Sequence, residues 1–66
     1  MKFYVYDSRS GKMQKISRKA LLEAVGQDRL NYIERETKMA LADDPMEEIE
    51  FMIHWEHRTQ SLVVRA

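Results

Sequence analysis

From Ile49 to Glu56 the chain alternates without exception, with Ile49, Phe51, Ile53 and Trp55 on one parity and Glu50, Met52, His54 and Glu56 on the other. Successive side chains of a β-strand point to opposite faces, so this octet predicts a half-buried strand with an Ile-Phe-Ile-Trp core face. Such a strand is not stable alone. It needs neighbouring strands and a layer to cover its apolar face, and the whole chain has only 66 residues to supply them. A chain of this length buries about 60% of the surface its unfolded form exposes. That limits it to one domain, residues 1–66, and excludes a two-domain enzyme.

The remaining segments fit this demand. Lys2 to Tyr6 reads as an aromatic and β-branched strand that stops at the turn formers Asp7-Ser8-Arg9-Ser10-Gly11. Lys12 to Ile16 is a candidate return arm, although Met13 and Ile16 fall on opposite strand faces. Ser17 precedes the helix-forming run Arg18 to Val25, and Gly26 stands where a left-handed residue would end it. From Asp28, the apolar spacing of Leu30, Ile33, Ala40 and Leu41, with Thr37 in the same stripe, predicts an amphipathic helix to about Ala42. Glu34 and Lys38 are placed for an i, i+4 pair on it. Pro45 disfavours helix at Asp44. Gly26 either separates two helices or kinks a single one. At the end of the chain, His57-Arg58-Thr59-Gln60 is the expected turn and Ser61 to Arg65 the last strand. The expected class is α+β: an antiparallel sheet of three or four strands with one or two helices on one face.

Composition narrows the functional classes. There is no Cys, which removes disulfides, thiolate metal ligands and a Cys nucleophile. No apolar run approaches the ~18 residues of a membrane span, and Met1-Lys2-Phe3 opens directly into a strand-like segment without a signal-peptide core. The expectation is a cytoplasmic protein with no membrane partner. His54 and His57 point to opposite faces of an extended strand and cannot share an ion there, so no metal site is expected. Glu50, His54 and Glu56 share a face, but a solvated strand face has the same pattern. No nucleophile motif or Gly-rich phosphate loop is present, and the domain is expected to be too thin to enclose a substrate cleft of ~300 Å³ or more. No catalytic residue and no cofactor is assigned, and the protein is not expected to be an enzyme.

Charge and the outer sheet face carry more information. Eleven bases balance eleven acids overall, yet residues 1–26 hold six bases against two acids and residues 27–66 hold five bases against nine acids. Asp43, Asp44, Glu47, Glu48 and Glu50 place five acids within eight residues, a candidate docking surface for a basic partner, including one that itself binds nucleic acid. Lys15, Ser17, Arg18 and Lys19 surround the start of the first helix as a candidate anion site. Arg18 and Lys19 at a helix start, and Asp43 and Asp44 at a helix end, oppose the helix dipole by a few tenths of a kcal/mol each. If Phe3 and Val5 face the helices, then Tyr4, Tyr6, Met52 and Val63 face away from them, as a candidate contact surface for another protein or a second copy.

Two helical pieces around Gly26, preceded by a strand and followed by a hairpin, resemble in topology the small Cro-type phage repressors. That resemblance implies a helix-turn-helix DNA-binding regulator, whose recognition helix would present Asp28, Arg29, Asn31 and Tyr32 and then the acids Glu34 and Glu36. Those acids oppose phosphates, so direct nucleic-acid binding ranks second. The favoured reading is a homodimeric, non-enzymatic protein-interaction module of the kind found among phage and mobile-element inhibitors of host complexes, acting through the acidic segment, the outer sheet face or both.

Overall fold

The computed structural model describes residues 1–66. Its elements are β1 (Lys2–Asp7), β2 (Lys12–Ile16), α1 (Arg18–Val25), α2 (Gln27–Asp43), β3 (Ile49–Trp55) and β4 (Arg58–Arg65). The strands form one antiparallel sheet in the order β2-β1-β4-β3, with both helices on the same face. This is a two-layer α+β fold.

Register sorts the strand residues into two faces. Across the covered face run the rows Ile16, Phe3, Val64, Ile49 and Gln14, Val5, Leu62, Phe51. Onto these rows α1 packs Leu21 and α2 packs Leu30, Ile33 and Thr37, all fully buried. Phe3, Val5, Ile16, Ile53, Leu62 and Val64 complete the core. The expected Ile-Phe-Ile-Trp face does point inward, but only Ile53 is buried; β3 is an edge strand, and Ile49, Phe51 and Trp55 lie half-covered at the margin of the helix layer. Tyr32 of α2 leans over that margin, its ring edge-on to Phe51 at 6.2 Å.

The first helix begins as its sequence implies, with the Ser17 hydroxyl accepting the Ala20 N–H at 3.0 Å. Gly26 alone separates the helices and differs from the left-handed cap expected: φ is 85° and ψ is 164°, a region essentially restricted to glycine. Its N–H closes α1 on the Leu22 carbonyl at 2.8 Å, while its own carbonyl accepts the Leu30 N–H and opens α2. One residue thus ends one helix and starts the next. The connector is shorter than the three or four residues of a usual helix-turn-helix. The second helix extends one residue beyond the expected range at each end.

Two hairpins close the sheet. Lys12 to Ile16 does return beside β1, and Asp7 Oδ1 organises the intervening loop by accepting the Arg9 N–H at 2.9 Å. The second turn is Glu56-His57, not His57 to Gln60: Trp55 pairs with Arg58 across a two-residue loop. Glu56 and His57 have φ of 49° and 69°, the left-handed pair that a type I′ turn needs to match strand twist. Composition conceals this turn because neither residue is Asn or Gly.

Two substitutions follow from these backbone angles. Nothing lies within 4 Å of a Cβ built on Gly26, so Gly26→Ala tests conformation alone and should destabilise the protein by about 1–3 kcal/mol in urea unfolding. Replacing Glu56-His57 by Asn-Gly should instead raise stability by about 1 kcal/mol, and an unchanged midpoint would contradict the strain assigned to this turn.

Candidate functional site

Of the charges that look misplaced in the sequence, Arg18 alone has a tertiary partner. Arg18 forms a two-pronged pair with Glu34 of α2, Nε to Oε2 and Nη2 to Oε1, both at 2.9 Å. The planar guanidinium matches a carboxylate in this geometry, and the pair ties the start of α1 to the middle of α2. Glu34 takes Arg18 as its partner in place of the i, i+4 bond to Lys38 expected from spacing. Hydrogen bonding from Arg18 holds the Glu34 carboxyl below its usual 4.5, and the same bond raises the Arg18 guanidinium. At the far end of the sheet, Arg58 donates to Asp7 at 2.6 Å and, with the Arg9 N–H, lowers the Asp7 carboxyl from its usual 3.8.

This geometry bears directly on the candidate anion site. Lys15, Ser17 and Arg18 do line one cleft of about 430 Å³, together with Lys2, Lys38 and Glu34, whereas Lys19 is not part of it. Within it, the Ser17 hydroxyl caps α1 and the Arg18 fork holds Glu34. A carboxylate of the chain already occupies the position the sequence reserves for an outside anion.

The acidic segment is open to solvent. Asp43, the last residue of α2, and Asp44, Glu47, Glu48 and Glu50 are all exposed. Asp44 Oδ1 accepts the Met46 N–H at 3.0 Å and its carbonyl accepts the Glu47 N–H, so the aspartate folds the turn it begins. Only Glu48 has a cation in range, Arg65 at 3.3 Å, and Glu50 accepts the Ser61 hydroxyl on the outer sheet face. Met46 sits among these carboxylates, 88% exposed.

The outer face carries the residues assigned to it. Its rows are Met13, Tyr6, Ser61, Met52 and Lys15, Tyr4, Val63, Glu50, and no helix covers them. Arg65 stacks on the Tyr4 ring at 4.9 Å. His54 lies further along the same face of β3, while His57 stands in the turn. Glu56 leaves the strand with that turn, so the Glu50, His54, Glu56 row is broken.

The hollows of the surface are open to solvent and not enclosed. Besides the basic cleft, Ala20, Glu23, Ala24 and the chain from His54 to His57 line an open trough of about 500 Å³ between α1 and the end of β3. These hollows form where the helix layer ends before the sheet does. No group of three or more His, Asp or Glu residues is placed to hold a metal ion, and no helix is long and apolar enough to cross a membrane. Comparison with protein-family models, curated proteins and solved structures gives no match.

The two depressed carboxyls set the acid response. Each favours the folded state while ionised, so its contribution is complete above the unfolded values of 4.5 and 3.8 and disappears as pH falls through the lower folded ones. The urea midpoint should therefore hold steady from pH 7 to about 5 and fall below about 4.5. In Glu34→Gln the midpoint at pH 7 should drop and the fall on acidification should be shallower; an acid response identical to the parent protein would remove Glu34 from this role.

Proposed function

We propose that the protein is a non-enzymatic interaction module that docks onto a basic protein surface through residues 43–50. The observation that carries this reading is the state of that segment: five exposed carboxylates, one cation in range, and an exposed methionine at their centre. Solvated carboxylates flanking an apolar residue suit a charged rim around a hydrophobic anchor, where charge sets the encounter rate and Met46 supplies the buried contact. The aspartate-folded turn limits the ordering cost of binding. A phage-type inhibitor of a host complex is the biological form this reading takes.

Two of the bases that the DNA-binding alternative needs are engaged within the fold, while Lys15 and Lys19 stay exposed. Arg18 is held by Glu34, and Arg29 reaches the Met52 carbonyl at 3.4 Å and the Tyr32 ring at 5.1 Å.

The test compares proteins retained from a bacterial lysate by the parent chain, by Asp43→Lys with Asp44→Lys, and by Met46→Ala, each first shown to be folded by circular dichroism. A basic protein retained by the parent should be lost with the double reversal, weakened about tenfold with Met46→Ala, and released as salt rises. Equal retention by the double reversal would refute the acidic-segment reading, and retention of nucleic acid lost in Arg18→Glu with Lys19→Glu would favour the DNA-binding one.

A further inference from the structure

The uncovered sheet face has a shape as well as a composition. On β1, Tyr4 and Tyr6 stand side by side; beside them on β4 lie the smaller Val63 and Ser61, with the Ser61 hydroxyl donating to Glu50. Val63 is only 9% exposed although no helix lies over it, consistent with its position below taller neighbours. Met13 and Met52 flank this pair of strands, 41% and 56% exposed. The ends of the next row carry opposite charges, Lys15 on β2 and Glu50 on β3.

We infer that this face is the interface of a two-fold dimer, its occupant a second copy of the chain. The inference goes beyond the acidic-segment reading and does not depend on it. Rotating a copy by 180° about an axis parallel to the strands and between β1 and β4 reverses the order of strands while keeping the rows. Tyr4 and Tyr6 then face Val63 and Ser61 of the second copy, Met13 meets Met52, and Lys15 meets Glu50, each contact occurring twice by symmetry. An axis perpendicular to the strands would instead set tyrosine on tyrosine. The twist of both sheets supplies the usual −30° of aligned packing. At the rim, Lys2 approaches the second copy's Arg65, whose charge is offset by Glu48 at 3.3 Å.

Pairing through the sheet edges is disfavoured at two places. Arg29 covers the β3 edge at the Met52 carbonyl, and β2 is a five-residue strand carrying Lys12 and Lys15. The face is therefore the favoured route to association. Four strands about 4.8 Å apart and about six residues long span roughly 20 by 20 Å. Two such faces bury on the order of 800 Å², below the ~1,200 Å² of stable interfaces, so the expected association is weak.

Sedimentation equilibrium of the purified chain from about 1 to 300 μM tests this. The parent protein should pass from the 7.9 kDa monomer to twice that mass. Lys15→Glu and Glu50→Lys should each weaken association about tenfold, since each variant opposes like charges at two symmetric contacts. The double swap should restore it. A parent protein that stays monomeric at 300 μM, or a double swap no better than the single variants, overturns the inference. Association that ignores the charge variants overturns it too. Asp43→Lys with Asp44→Lys should leave the dimer intact, so failure of the dimer and failure of acidic docking are separable.

Discussion

A helix layer on one face only is the constraint from which the other features follow. With 66 residues, the chain has material for one sheet and one layer of helix, and the core is a single slab between them. Burial of Phe3, Val5, Leu62 and Val64 beneath Leu21, Leu30 and Ile33 supplies the main hydrophobic stabilisation. The same arrangement leaves the opposite face without a cover and leaves β3 half-covered at the margin. A thicker protein would place Tyr4, Tyr6 and Met52 in a second core.

The thinness of the slab gives the ion pairs their positions. Arg18 with Glu34 and Arg58 with Asp7 stand outside the apolar slab, one between the helices and one at the sheet end. Each keeps part of its surface in water, so neither pays the full desolvation penalty of a buried charge. Their effect is geometric. The bidentate fork fixes how α1 lies against α2, and the Asp7 pair joins the two hairpin ends. Thr37 is the counterexample, a fully buried residue whose hydroxyl has no partner within the protein. The structure gives it no polar role.

Charge asymmetry along the chain is converted into two distinct surfaces. Basic residues of the first part of the chain line a cleft in which Glu34 pairs with Arg18, while the acids of 43–50 stay exposed at the turn into β3. The two proposals, self-association and partner docking, draw on different surfaces, the outer apolar rows and the acidic turn. Glu50 alone belongs to both, as the last residue of the acidic run and the acidic end of the sheet row.

Strand alternation at Ile49 to Trp55, the helical stripe of Leu30, Ile33 and Thr37, and the outward parity of Tyr4, Tyr6 and Met52 were legible in the residues, because period-2 and period-3.6 patterns are local and follow from backbone geometry. The α+β class follows from them. The Glu56-His57 turn was not legible, since its left-handed angles are imposed by the pairing of Trp55 with Arg58 and not by the residues in it. Nor was the partner of Arg18. Bonds across 16 residues to Glu34 and across 51 from Arg58 to Asp7 depend on register and helix packing, which no local pattern encodes. The candidate sites divide along the same line. The acidic run and the outward tyrosines are properties of the sequence, whereas the cleft in which Glu34 pairs with Arg18 and the placing of Lys15 and Glu50 at opposite ends of one row exist only once the strands are ordered β2-β1-β4-β3.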